Sequence, residues 1–372
     1  MTGFALPATD LAAANLRSEQ IDRLIALIDT HIAEGRYPGA QIAIARHGKL
    51  ALSRTFGKAT LKKPANDKTL WLLYSNTKVI TAAALWVLAE RGAFRFTDRV
   101  SDHVPEFARN GKGEITILQL MTHRAGFPNA VVPPAVWEDH ALLHETVCNF
   151  SLEWTPGSRL HYHGATAHWT AAVLMETLTG KDFREVIRDS VIAPLGLQNE
   201  MMVGMPRAAM ARAADMHEPG ADGVKPIAQQ NTAAYRKAGI PGGGGYATAR
   251  GMAALYQMML NGGELAGARI LSPRTLGYAI RNWTGDMVDG NMGMPMHRGI
   301  GPHLRGTTET IRGLGSFASP RTFGHGGAGT SYCWADPESG ISFAYLTNCR
   351  IPDPWHSRRL DLVSNFVHSA IL

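Results

Sequence analysis

A serine and a lysine, Ser75 and Lys78, stand three residues apart in "LLYSNTKVITAAALWVLAERG", where an apolar run begins. From Val79 to Leu88 the run has almost no polar side, which predicts a helix entering the protein core with Ser75 and Lys78 at its opening turn. Residues at i and i+3 emerge on one face of a helix. A serine hydroxyl is a weak nucleophile unless a base lies within hydrogen-bond reach. A lysine drawn into a desolvated pocket loses proton affinity and can be that base. The helix N-terminus adds backbone N–H groups and positive potential for a developing oxyanion. A serine N-cap with a solvent-reaching lysine gives the same pattern, so S-x-x-K alone does not define a site.

Two further stretches supply what that pair lacks. In "EWTPGSRLHYHGATAHWTAAVLMETLTG", Tyr162 sits on a loop before an apolar helix. A tyrosine near an ammonium group can exist partly as phenolate and relay protons. In "FGHGGAGTSYCW", His325, Gly326 and Gly327 read as the opening of a strand. The two glycines allow close backbone approach to a ligand. An edge strand here can offer the N–H of Ala328 as a second oxyanion donor beside that of Ser75.

The elements that must position these residues are legible in outline. "LRSEQIDRLIALIDTHIAEGRYPGA" has apolar residues at helical spacing and ends in glycine and proline. "AQIAIARHG" and "LALSRTFGKA" read as a hairpin turning at His47-Gly48. Helices are expected over Trp169–Leu178, Phe183–Val191 and Arg250–Leu260, and from His356 to about Ala370. "SYCWADPESGISFAYLTN" reads as strand, turn, strand. The segment through Asn15 has no clear period and is expected to be a loose arm. This order predicts an α/β lobe from residues 1–74 and 240–372, a mainly helical lobe from 75–239, and a cleft between them.

Composition removes other classes. The net charge is +6, but Lys and Arg occur singly or in pairs rather than in one stripe, which argues against nucleic-acid binding. No apolar run reaches the roughly 20 residues of a membrane span. No leader is visible at the start, and the three cysteines form no CxxC pair, so the expectation is a cytoplasmic protein with reduced, buried cysteines. His161, His163 and His168 lie close together in "HYHGATAH" without an acidic or cysteine partner, so no metal is expected. Gly242–Gly245 has no following lysine-serine pair; it reads as a mobile loop beside the cleft rather than a phosphate cradle. Met287, Met292, Met294 and Met296 suit a flexible pocket wall. No cofactor is expected.

The motif set resembles the serine β-lactamase and D,D-peptidase superfamily, and is most similar to class C β-lactamases and the related family VIII carboxylesterases. Supporting matches are "ITILQLMTHRAGFP", "EWTPGSRLHYH", "APLGLQNE", "GGGGYATARGMAALYQMMLNGGELAGARILSP" and "FGHGGAGTSYCWADPESGISFAYLTN", in the family's order. The resemblance implies a β-lactamase/transpeptidase-like α/β fold, an antiparallel sheet flanked by helices plus an all-α lobe. It implies Ser75 as the acylated nucleophile, Lys78 and Tyr162 as the proton-relay pair, and His325 to Ala328 as the strand lining the acyl pocket. His123 corresponds to a structural residue at a helix end.

Two departures bear on substrate. Where class C enzymes carry tyrosine-x-asparagine, this chain has Tyr162-His163-Gly164, which removes a side-chain amide that positions substrate amides. The lysine of the family's K-T-G is His325, so a fixed cation for a substrate carboxylate is gone. Both departures favour a small neutral ester over β-lactams and peptidoglycan termini. An amidase or acyltransferase of the same superfamily, a β-lactamase or D,D-peptidase, and a non-catalytic receptor on the same fold remain as alternatives. Oligomeric state is open.

Overall fold

The strand "GAQIAIAR" alternates small and branched apolar side chains, and the structure shows why. In the computed structural model, which describes residues 4–221, 223–309 and 313–372, it is the strand Gly39–Arg46, with seven of its eight residues buried. Ala40, Ile42 and Ile44 face one apolar cluster and Ala43 and Ala45 face another. A strand that alternates between two buried faces belongs in the middle of a covered sheet. It pairs antiparallel with Lys49–Thr60 on one side and Ile341–Thr347 on the other.

The eight-stranded sheet runs, in spatial order, His297–Arg298, His303–Leu304, Phe323–Gly326, Tyr332–Asp336, Ile341–Thr347, Gly39–Arg46, Lys49–Thr60 and Lys63–Pro64. All its pairings are antiparallel. Helices Ser18–Ala33 and Trp355–Ser369 contribute Ile21, Leu24, Ile28, Leu360, Val363 and Val367 to the core on one face. Helix Ala249–Leu260 covers the other face with Met252, Leu255, Tyr256 and Met258. The fold is the mixed α/β, β-lactamase/transpeptidase-like arrangement expected from the sequence.

Helix Thr77–Glu90 has every residue from Thr77 to Leu88 buried. Its few polar groups are satisfied: Thr81 Oγ1 donates to Pro241 O (2.7 Å) and Trp86 Nε1 to Ile300 O (3.0 Å). A small sheet of Trp71–Leu72, Gly245–Ala247 and Met201–Val203 stands at the N-terminal end of this helix. Gly245 N donates to Thr77 Oγ1 (2.9 Å), tying that sheet to the first helical turn.

Several sequence expectations are corrected. The N-terminal segment is not loose: Leu6 is buried, and Thr9 and Pro7 exchange backbone hydrogen bonds with Leu50. Short strands occur within the segment read as helical or irregular, at Met201–Val203, His217–Gly220 and Gly223–Pro226. Strands of three or four residues are too short to print a period of two. Part of the glycine run is likewise strand rather than loop. No helix among the described residues is long and apolar enough to cross a membrane.

Candidate active site

Ser75 does not lie in the α-helix proper. It occupies a single 3-10 turn, Tyr74–Asn76, ahead of helix Thr77–Glu90. The reason is Tyr74, a non-glycine residue at φ +44°, a conformation that persists only where surrounding structure holds it. The turn is held by Leu73 N donating to Gly245 O (2.9 Å) and by Asn76 N and Nδ2 donating to Leu73 O (3.2 and 3.3 Å). Gly327 presses on the same turn: a Cβ there would lie 2.6 Å from Leu73 O and 3.3 Å from Tyr74 Cβ. Gly327→Ala is therefore expected to fold but lose about 10²-fold in kcat/KM, the size of loss a small misplacement of reacting groups produces. Steady-state kinetics beside a thermal melt checks this; full activity would mean that strand end and turn need not touch.

Lys78 is fully buried. Its Nζ donates to Gly164 O and Gly242 O, each at 2.6 Å, and lies 3.2 Å from Ser75 Oγ. Two carbonyls thus fix two of the amine's directions and leave the third on the serine. As ammonium, all three hydrogens have acceptors; as neutral amine, its lone pair faces the hydroxyl. Burial lowers the proton affinity of Lys78; Tyr162 opposes that shift, and Arg298 adds to it.

Tyr162 Oη donates to Ser75 Oγ at 2.8 Å. The Tyr162 ring lies 4.8 Å from that of His123, and Lys78 Nζ is 5.1 Å from its centroid. The loop carrying Tyr162 is pinned by histidines. His161 N donates to His123 O (3.1 Å) and His163 N to His123 Nδ1 (3.0 Å). His163 Nδ1 meets His161 O (2.7 Å), and its Nε2 accepts from Phe127 N (3.2 Å). Both ring nitrogens of His163 are therefore occupied. His168 is also fully buried. Burial holds His163 down at about 4 and pushes His123 and His168 well below the usual histidine range, so all three are neutral at pH 7.

His325 is the third residue of the four-residue strand Phe323–Gly326 rather than the opening of one, and that strand is not at the sheet edge. The strand beyond it pairs only with Phe323 and Gly324, so His325 and Gly326 are free of the ladder on the cleft side. Burial, with Lys78 next, drives the His325 imidazole well below its usual range, so it is uncharged. Its ring packs 4.1 Å from His303. His325, Gly326, Gly327 and Ala328 line one side of a cleft of about 230 Å³, with Ser75 and Tyr162 also in its lining. Met292, Tyr332 and Leu360 add apolar wall.

The structure thus places Ser75, Tyr162 and His325 to Ala328 along one cleft, with Lys78 buried behind Ser75 rather than in the cleft lining. What sequence reasoning missed are the acceptors and neighbours. Gly164 and Gly242 act through backbone carbonyls, which no side-chain pattern reveals. The Gly242 run is a hydrogen-bonded turn, with Gly243 N and Gly244 N both donating to Ile240 O, and it supplies one of the lysine's two carbonyl anchors. Asp289 and Arg298, beside Tyr162, carried no motif.

A two-face antiparallel sheet with a buried lysine at the foot of a central helix defines a class, the serine hydrolases of β-lactamase fold. Residues 24–364 match the Beta-lactamase family, and the chain belongs to it. It is similar to the Esterase/beta-lactamase LipL of Mycobacterium tuberculosis, at 29% identity over 74% of this chain and 68% of that one. It is also similar to a putative D-alanyl-D-alanine carboxypeptidase of Salmonella typhimurium, at 26% identity over 89% of this chain and 83% of the relative. Among solved structures, a family VIII carboxylesterase superposes with a TM-score of 0.82 at 26% identity, covering 95% of this chain and 98% of the other.

Proposed function

We propose that this protein is a carboxylesterase that cleaves small neutral esters through an acyl-enzyme on Ser75. The observation that carries this is the meeting of three groups: Ser75 Oγ lies 2.8 Å from Tyr162 Oη and 3.2 Å from Lys78 Nζ. The serine proton passes to the Lys78–Tyr162 pair as Oγ attacks the ester carbonyl. The backbone N–H groups of Ser75 and Ala328 stabilise the oxyanion. Collapse expels the alkoxide, which takes a proton from the pair, and leaves the acyl group on Ser75. Water, deprotonated by the same pair, then releases the acid and restores the serine.

The choice of ester rests on the cleft. Its volume of about 230 Å³ is below the range typical of drug-sized sites. No lysine or arginine is among its described lining residues, and His325 is neutral. Beside Gly164 the space for a side chain is open, so no amide group is offered to a substrate. An alkoxide leaves more readily than an amine, so a site with few positioning groups suits esters best. Similarity to a family VIII carboxylesterase and to an esterase/β-lactamase supports the same choice. The buried free cysteines Cys148, Cys333 and Cys349 suit a reducing, cytoplasmic setting. The test is kcat/KM for short-chain p-nitrophenyl esters against nitrocefin. The esters are expected to turn over faster; faster nitrocefin hydrolysis would sink the assignment.

A further inference from the structure

Tyr162 faces a second cation. The guanidinium of Arg298 lies over its ring, 5.0 Å from Cζ to centroid, while Lys78 Nζ lies 5.1 Å from that centroid. Arg298 comes from the outermost strand of the large sheet and is only 1% exposed. Of its side-chain nitrogens, Nη2 donates to Asp289 Oδ2. Nε and Nη1 are buried with no acceptor among the described residues. Asp289, fully buried itself, uses Oδ1 to accept from the backbone N–H of Tyr162 (3.1 Å) and of Asn291 (2.9 Å). One member of the ion pair meets the tyrosine ring and the other holds its backbone.

As a stabilising device this pair is poor. Burying two ions carries a desolvation penalty that an apolar pair of the same shape avoids, and two donors without acceptors add to it. The arrangement makes sense if the ring at times carries negative charge. Among the described residues, the titratable groups facing the ring are Lys78, Arg298, His123 and His325, with rings of the last two at 4.8 and 6.3 Å. Both histidines are neutral. Burial works against charge on Asp289, but Arg298 and backbone N–H groups hold it below the usual carboxylate range, so it is an anion. One fixed anion thus stands against Arg298 and a protonated Lys78, and a phenolate would balance the count.

We propose that Arg298, anchored by Asp289, is a positioning residue that fixes the Tyr162 ring over Ser75 and keeps the Lys78–Tyr162 pair ready to accept a proton at neutral pH. This rests on the reading of Ser75 as nucleophile. The pair holds one proton as amine plus phenol or as ammonium plus phenolate, and two as ammonium plus phenol. The two-proton form has no site left for the serine proton, whereas the one-proton form accepts it. A fixed cation disfavours the two-proton form, so Arg298 extends activity to lower pH, and Asp289 acts in the opposite sense.

The experiment is the pH profile of kcat/KM for a short p-nitrophenyl ester. In Arg298→Gln the rising limb should move up by about one pH unit or more, the size expected for losing a charge within a few ångströms. Arg298→Lys keeps the charge and should keep the limb, with a lower plateau because the planar fork is lost. Asp289→Asn should move the limb down. Since Arg298→Gln leaves Asp289 buried and unpaired, the double variant Arg298→Met/Asp289→Asn orphans no charge, and its limb should also move up. A limb that stays at the wild-type pH in both the Gln and the double variant would overturn the proposal. So would equal losses in all variants, Lys included, with the limb unmoved. Fluorophosphonate labelling of the wild type separates the two readings. No label on Ser75 sinks the hydrolase assignment, whereas a label with an unmoved limb sinks only the role of Arg298.

Discussion

Ser75→Ala is expected to lower ester turnover by a factor on the order of 10⁴ to 10⁶, the range seen when a nucleophile acting with its base as one unit is removed. The hydroxyl is where the Lys78 and Tyr162 contacts converge, so the remaining groups have nothing to activate. The change deletes one oxygen at a half-buried position and leaves the backbone turn intact, because Leu73, Asn76 and Gly245 hold it through main-chain and Asn76 contacts. The unfolding temperature should therefore stay close to wild type. Kinetics and a circular-dichroism melt on the same sample check both parts. Ester cleavage that survives the substitution would remove Ser75 from the mechanism.

Lys78→Met is expected to lower kcat about 10³-fold, within the range for loss of a positioned general base. It also carries a stability signature with a definite sign. Burial depresses the proton affinity of Lys78 in the folded protein relative to the unfolded chain. Between the depressed folded value and the ordinary lysine range, the unfolded state binds more protons, so wild-type stability rises with pH across that window and falls as pH drops through it. Methionine has no such dependence. It leaves the Gly164 and Gly242 carbonyls without their donor, at about 1–3 kcal/mol each, but that loss does not vary with pH. The stability difference between the two proteins should thus move in favour of Lys78→Met as pH is lowered from about 10 to 7. Urea denaturation at several pH values reads this directly. A difference that is flat with pH would mean that Lys78 is not the desolvated amine the site requires.

How much of this was legible in the residues depends on what each part is made of. Ser75, Lys78 and Tyr162 carry side chains of distinctive type, the first two at a fixed local spacing, and the structure places Lys78 and Tyr162 each within hydrogen-bond reach of Ser75. The hairpin at His47-Gly48 and the helices over Ile21–Ile32 and Arg250–Leu260 follow apolar periods long enough to read. The strained turn at Tyr74 was not legible, because its φ is set by contacts to Gly245 and Gly327, far away in the chain. The carbonyl anchors of Lys78 come from Gly164 and Gly242, where composition suggests only looseness. Arg298 sits on a two-residue strand that exists because the sheet continues past Phe323. That dependence on tertiary context is why no local pattern announced it. The departures at Gly164 and His325, by contrast, are side-chain facts, and the open space and the neutral imidazole found there are what those residue types imply.

At the root of the account is one chemical event, transfer of an acyl or phosphonyl group onto a single hydroxyl at the foot of the central helix. Intact mass followed by peptide mapping, after exposure to a fluorophosphonate or a slow ester, observes that event itself. One adduct per chain is expected, confined to the peptide carrying Ser75, lost in Ser75→Ala and formed more slowly in Lys78→Met. An unmodified wild-type chain, or an adduct mapped to any other residue, would contradict it.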